Sequence, residues 1–338
     1  MESLNSVDLM KEIERLKKSL DVDIVAHFYQ KDEVFQLADI TGDSLELAKR
    51  TINSDSEFIL FCGVAFMGES VKVLNPKKRV IMPKMACCAM AQMIDGKFYD
   101  KSIEILEKSG IHKNDILPIT YINSSAEIKA KVGEMGGLVC TSSNAHQIIT
   151  SAIKSGKKIL FVPDRCLGQN IANQMNLKSS VLNVMEDKAD EVHKDSDVIC
   201  YDGFCSVHQL FSIEDIQFYR EKYPDILIAV HPECDPEIVK NSDFVGSTSQ
   251  LIKFVKDLPE SQKVAVGTEF NMVNRLREKN TYILSSTKPE CPTMNETTLE
   301  DVYNSLKSIE DGNPFYEVQL DEQVQKNAKL ALERMLNL

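Results

Sequence analysis

"VDIVAHF", residues 22–28, is a nearly continuous apolar run that ends on a polar side chain, His27, with Tyr29 two positions on. The same kind of run returns along the chain. It appears as "EFILFCG" (57–63), "RVIMP" (79–83), "DILPITYI" (115–122), "GLVCT" (137–141) and "KILFVP" (158–163). Further on come "DVICY" (197–201), "ILIAVH" (226–231), "DFVGS" (243–247) and "KVAVGT" (263–268). Apolar residues that follow one another, rather than alternate, mark strands covered on both faces, as in parallel sheets. Between the runs lie segments with helical spacing, such as "QLADITGDSLELAKRTI", "AEIKAKVGEM", "NAHQIITSAIKSG" and "TSQLIKFVKDL". The fold class that follows is α/β with parallel sheets.

Taken in threes, the runs show a positional repeat. The first run of each third ends His27–Phe–Tyr29, Tyr121–Ile–Asn123 or His231–Pro–Glu233, placing polar residues two apart. The second ends in "FCG" (61–63), "CTSSNA" (140–145) or "GSTSQ" (246–250), and the third in "MPKMACC", "VPDRCLG" or "VGTEFN". After each third run comes a candidate cysteine: Cys88, Cys205 and Cys291. We read three βαβαβ units whose strand carboxyl ends, the usual ligand edge of an open α/β sheet, converge on one centre.

Composition narrows the function. With 338 residues, 43% hydrophobic and 27% charged, the chain has room for two or three domains. A net charge of −12 argues against nucleic-acid binding, which needs a basic face. No apolar run reaches the roughly 18 to 20 residues that span a bilayer. The N-terminal "MESLNSVDLMKEIERLKKSL" is an amphipathic helix pattern without a signal-peptide core, so a cytoplasmic protein is expected.

Nine cysteines, an odd number without CxxC spacing, argue against a disulfide framework and against zinc ribbons. Cys62, Cys140 and Cys200 end apolar runs and read as core filling. For Cys88, Cys205 and Cys291 several readings stay open. One could be a nucleophile, with His208 three residues after Cys205 as a base. Three thiolates from distant segments could hold zinc. They could also hold an iron–sulfur cluster with one iron lacking a protein ligand. The polar strand ends suit a small anionic substrate: His27, Tyr121 and His231 for carboxylates, and the hydroxyls of "TSSNA" and "GSTSQ" at helix starts for anions.

Ten motifs together resemble the quinolinate synthase family. They are "AHFYQ" (26–30), "ADITGDSLELAK" (38–49), "CAMAQM" (88–93), "YINSSAEIKA" (121–130), "CTSSNA" (140–145), "GFCSVH" (203–208), "HPEC" (231–234), "GSTSQLI" (246–252), "VGTEFNMVNRLREKN" (266–280) and "CPTMNETTLE" (291–300). The resemblance implies three αβα domains around a pseudo-three-fold axis, expected at 1–110, 111–220 and 221–295, with the helices of 296–338 packing back on the first. It implies a [4Fe–4S] cluster with Cys88, Cys205 and Cys291 as ligands, His208 then being structural. The implied reaction condenses iminosuccinate, supplied by L-aspartate oxidase, with dihydroxyacetone phosphate, giving quinolinate, phosphate and water for NAD synthesis. Implied substrate contacts are His27, Ser44, Tyr121, Ile122, Asn123, Ser142, His231, Pro232, Glu233 and Thr248. Tyr29, Tyr121, Glu233 and His231 are the implied catalytic residues.

The chain departs from the family pattern in places. Cys87 stands beside Cys88, and the alignment of "CAMA" selects Cys88. Around Cys291 there is no CxxCxxC run, so no redox switch is expected there, and "KVGEMGG" lengthens one connection. The rival readings are another hydratase or lyase with an open iron, a zinc enzyme, and a non-catalytic small-anion-binding protein.

Overall fold

The computed structural model describes residues 6–186, 191–277 and 280–338. The first five residues of the N-terminal helix pattern, and residues 278–279 of the motif at 266–280, lie outside the described residues.

Three sheets form, and every strand pairing in them is parallel. The first contains β1 (Val22–His27), β2 (Ile40–Gly42), β3 (Phe58–Cys62) and β4 (Arg79–Ile81). The second contains β5 (Ile116–Tyr121), β6 (Leu138–Cys140), β7 (Lys158–Val162), β8 (Ser179–Leu182) and β9 (Val198–Tyr201). The third contains β10 (Leu227–Val230), β11 (Phe244–Val245), β12 (Val264–Gly267) and β13 (Thr281–Ile283). Their orders are β2-β1-β3-β4, β6-β5-β7-β9-β8 and β11-β10-β12-β13. One order therefore recurs three times, with β8 added at one edge of the second sheet. In each, the chain leaves the first strand to one side and crosses to its other side for the third. That switch point opens a crevice at the strands' carboxyl ends.

The sequence reading recovers the sheet interiors but passes over β2, β8 and β13. All three lie at sheet edges. Edge strands are covered on fewer sides, so their sequences carry less of the continuous apolar signal.

Helices cover the sheets as their spacing requires. Helix Ser6–Ser19 buries Leu9, Ile13 and Leu16 together with Val302, Leu306 and Ile309 of helix Leu299–Glu310, against the first sheet. Of the helices of 296–338, expected on the first unit, the last one, Glu322–Leu336, instead lies mainly along helix Ala126–Glu134 of the second. Gly133 permits that approach, since a β-carbon there would sit 2.0 Å from the Asn327 carbonyl oxygen. Arg334 Nη1 then donates to the carbonyls of Gly133 (3.1 Å) and Gly137 (2.8 Å). Before this helix, Val318 N bonds to Val80 O (2.8 Å) and Met82 N to Tyr316 O (3.1 Å). This strap pairs with the exposed edge of β4, which would otherwise present unpaired backbone groups.

Candidate active site

The three first strands deliver their ends to one cavity. It is lined by residues of all three units, including His27, Tyr121, His231 and the cysteines Cys88, Cys205 and Cys291. The space between its walls, counting the part open to solvent, is about 650 Å³. Helix starts bring in hydroxyls. Ser247 caps helix Thr248–Asp257 in a capping box with Gln250, so the Thr248 hydroxyl remains for the cavity. Asp43 caps helix Ser44–Thr51 in the same way with Glu46. Its other carboxylate oxygen accepts from Ser143 Oγ (2.9 Å), joining the first unit to the second.

Inside, six side chains form one hydrogen-bonded line. Thr248 Oγ1 donates to Tyr29 Oη (3.0 Å), and Tyr29 Oη lies 2.8 Å from Thr268 Oγ1. Thr268 Oγ1 lies 3.0 Å from His208 Nε2, and His208 Nδ1 lies 3.1 Å from Glu233 Oε2. Tyr121 Oη donates to Glu233 Oε1 (2.5 Å). Because Thr248 donates to Tyr29, the tyrosine O–H is available to pass its hydrogen to Thr268. Thr268 then donates to His208 Nε2, which puts the imidazole hydrogen on Nδ1, facing the carboxylate. Tyr29 and Tyr121, from different units, are thus joined through Glu233.

The two strand-end histidines take the opposite tautomeric arrangement. His27 Nδ1 accepts from Tyr29 N (3.1 Å) and His231 Nδ1 from Glu233 N (3.3 Å), so each carries hydrogen on Nε2. His231 Nε2 reaches Ser142 Oγ at 3.2 Å. The His231 ring stacks on His208 with centroids 4.6 Å apart.

Burial sets the charges. It lowers His27 to about 4 and His231 to about 3, so both are neutral at pH 7. Burial also pushes the Glu233 carboxyl up, but the imidazoles of His208 and His231 and the hydrogen bonds from His208 and Tyr121 outweigh it and hold it below the usual carboxylate range. With His231 neutral, the donors from His208 and Tyr121 carry that direction. Both tyrosine hydroxyls are raised well above their usual range, first by burial and then by the Glu233 charge.

Side chains of the third unit hold the loop that carries Tyr29. Arg275 Nη1 donates to Gln30 O (3.0 Å) and Asp32 Oδ1 (2.6 Å), Nη2 donates to Phe28 O, and the guanidinium covers the Phe35 ring. Asn271 Nδ2 donates to Tyr29 O (3.1 Å), and Gln30 Nε2 to Met294 O (2.8 Å). The loop after Tyr121 is held from within its own unit. The fully buried Lys129 ammonium donates to the carbonyls of Ile122 (2.8 Å) and Ser124. Ser124 Oγ donates back to Tyr121 O (2.9 Å). Asn123 Oδ1, at the cavity wall, is buried and has no protein partner among the described residues.

All the residues expected from the sequence line this cavity except Ile122 and Pro232. Ile122 is a core side chain, and its backbone carbonyl takes Lys129. Pro232 offers its carbonyl to Asn170 Nδ2 (2.8 Å), which also holds Cys234 O. His208, expected to be structural, has its ring buried in the cavity wall, where it bonds to Glu233. Thr268, Asn271 and Arg275 all lie in the motif at 266–280, but no local residue type or spacing singles them out.

The cysteines divide by place. Cys62, Cys140 and Cys200 are wholly buried, on β3, β6 and β9. Cys88, Cys205 and Cys291 are partly buried and line the cavity, whereas Cys87 does not line it. Burial pushes the Cys88 thiol up to about 12, with Cys291 and Glu233 adding to the effect. Around Cys291, the Glu269 carboxylate accepts from Cys291 N (3.4 Å) and Asn271 N (2.8 Å). Cys205 Sγ, a His208 ring nitrogen and a Glu233 oxygen lie within 4.8 Å of one another. Among the described residues, no helix is long and apolar enough to cross a membrane.

Comparison with known proteins agrees with this geometry. Residues 11–337 match the family model described as quinolinate synthetase A protein. Quinolinate synthase of Helicobacter pylori is 56% identical over 335 residues, covering 98% of each chain. The Streptomyces coelicolor quinolinate synthase is 38% identical, covering 98% of this chain and 88% of its own. For the Bacillus licheniformis quinolinate synthase the identity is 40%, with 93% and 88% covered. A match of this length and identity, over a chain whose three sheets converge on one cavity, means that the protein belongs to the quinolinate synthetase A family.

Proposed function

We propose that the chain is a quinolinate synthase of NAD biosynthesis. It condenses iminosuccinate with dihydroxyacetone phosphate to quinolinate, phosphate and water. Cys88, Cys205 and Cys291 would hold a [4Fe–4S] cluster, and iminosuccinate would come from L-aspartate oxidase. One observation carries this reading: three cysteines far apart in sequence share a cavity with the polar ends of three strands. The donor set fits the group. Three partly buried thiols from three units face one space, none is committed to a strand interior, and soft thiolates are the usual ligands of such clusters. When bound, the cluster supplies an iron without a protein ligand, a Lewis acid for a substrate oxygen.

The chain's own residues do the rest. His27 and His231, both neutral, donate from Nε2 to substrate oxygens, with Ser142 beside His231 and Ser44 at a helix start. Asn123 Oδ1 accepts from a substrate hydroxyl, which its lack of a protein partner favours. Glu233 is ionised and takes a proton from the carbon or hydroxyl that must lose one. Tyr121 Oη, bonded to Glu233, donates one where a hydroxyl leaves. Tyr29 exchanges protons with the same carboxylate through Thr268 and His208, so acid and base steps at opposite walls share one reservoir. The ranges 1–110, 111–220 and 221–295 remain our assignment of the domains, each containing one sheet.

The test is anaerobic purification followed by a product assay with both substrates. We expect brown protein with about four iron and four sulfide per chain, and quinolinate formation. Serine at Cys88, Cys205 or Cys291 should each abolish iron retention, while serine at Cys62 or Cys200 leaves it unchanged. Iron-loaded protein that forms no quinolinate, or iron-free protein that forms it, would overturn the reading.

A further inference from the structure

The grouping of Cys205, His208 and Glu233 has the form of a second, smaller metal site. We propose that the chain, when it lacks an iron–sulfur cluster, binds a single zinc-like divalent cation through Cys205 Sγ, His208 Nδ1 and the Glu233 carboxylate. Cys205 would serve both groups, so the cation and the cluster exclude each other. The exclusion rests on the proposed cluster; the cation site does not.

Cys205 Sγ, a ring nitrogen of His208 and a Glu233 oxygen already lie within 4.8 Å of one another. His208 Nδ1 and Glu233 Oε2 are 3.1 Å apart, close to the separation of two donors held about 2.0 to 2.2 Å from a tetrahedral zinc ion. The sulfur, within 4.8 Å of both partners, has to close to the roughly 2.3 Å of a zinc–thiolate bond. The surroundings that orient metal ligands are present as well. Thr268 Oγ1 lies 3.0 Å from the other histidine nitrogen, and Tyr121 donates to the other carboxylate oxygen at 2.5 Å. The stacked His231 ring limits rotation of His208. Binding would release the thiol proton of Cys205, while the ring hydrogen of His208 moves from Nδ1 to Nε2, where it is donated to Thr268 Oγ1, so the imidazole stays neutral. Thiolate and carboxylate then balance the two positive charges, and the fourth position faces the cavity.

The experiment adds Co²⁺ to the full-length, metal-free protein under anaerobic conditions and follows absorption, with Zn²⁺ as competitor. We expect one ion per chain, a near-ultraviolet thiolate-to-cobalt band, and displacement by one equivalent of zinc. The band should persist in Cys88→Ser and Cys291→Ser, which lose the proposed cluster. It should vanish in Cys205→Ser, and affinity should fall at least about tenfold in His208→Gln, as expected when a ligand is lost. Zinc loaded beforehand should reduce later iron uptake several-fold. A band lost in Cys88→Ser, binding without a thiolate band, or no binding at tens of micromolar would each overturn the site. If Cys205→Ser or His208→Gln does not fold, the wild type and Cys88→Ser still decide. None of these readings depends on quinolinate formation.

Discussion

Tyr29 follows β1 and Tyr121 ends the equivalent strand β5; both lead to Glu233, yet the loops beside them are held by different means. The loop after Tyr121 is fixed by its own unit: Lys129 holds two carbonyls, and Ser124 closes back on Tyr121 O. Tyr29 is fixed from another sheet, by Arg275 on Phe28, Gln30 and Asp32, and by Asn271 on its own carbonyl. The Tyr121 loop therefore forms with the fold of its unit. The Tyr29 loop takes its position only when the first and third units dock. Interactions between units are the ones that domain movement breaks, so the acid–base line is completed by docking.

Removing the group on which the two tyrosines converge should have the largest effect. Glu233→Gln keeps the shape but removes the proton acceptor, and turnover should fall by roughly 10² to 10⁴. Steady-state kinetics under anaerobic conditions measures this. If Glu233 only shaped the loop, melting temperature would fall while turnover stayed near normal.

His27 belongs to the Tyr29 side, since its Nδ1 takes Tyr29 N. Burial, outweighing the Asp43 charge, holds it at about 4, against an unfolded value near 6.5. Between those values the unfolded chain binds more protons. Stability present above pH 6.5 is therefore lost as pH falls to 4, by about 3 kcal/mol for this group. Denaturant unfolding at pH 7 and pH 4 should show that difference shrinking in His27→Asn. An unchanged slope would mean that the ring does not stay buried and neutral.

The next two changes test the comparison directly. Lys129→Met leaves the buried carbonyls of Ile122 and Ser124 without donors, and stability should fall by about 2 kcal/mol, read by thermal or denaturant unfolding. Burial lowers the Lys129 ammonium to about 7, so the wild type should gain stability from pH 7 toward pH 10 by the same linkage, and the variant should not. Arg275→Met should leave each unit intact but loosen Tyr29, lowering turnover roughly tenfold through misplacement with little change in melting temperature. Equal effects of the two variants on stability would mean that the Tyr29 loop is not held from the third unit.

Much of the architecture is legible in the sequence because interior parallel strands must be apolar throughout. β1, β3, β5 and β7 stand out for that reason, and β2, β8 and β13 at the sheet edges do not. Strand-end polar residues were legible as well: His27, Tyr121, His231 and Glu233 interrupt apolar runs where a sheet ends and ligands enter. His208 reads as structural from the sequence, because three-residue spacing from Cys205 looks like a helical neighbour. Its true partners, Glu233 and Thr268, are 25 and 60 residues away. Arg275 meets Phe28 across 247 residues, and no local pattern encodes that pairing.

By itself, the sequence determined the α/β class, the strand ends that bear polar groups, the separation of core cysteines from Cys88, Cys205 and Cys291, and the family likeness. Each of these is written in residue type and local spacing, which burial and strand geometry constrain directly. The tertiary structure alone decided which of those groups meet. A hydrogen bond forms only near 3 Å, and the line from Thr248 through Tyr29, Thr268 and His208 to Glu233 and Tyr121 draws on all three sheets. Its existence depends on how the sheets dock, a long-range outcome that no single stretch of the chain specifies.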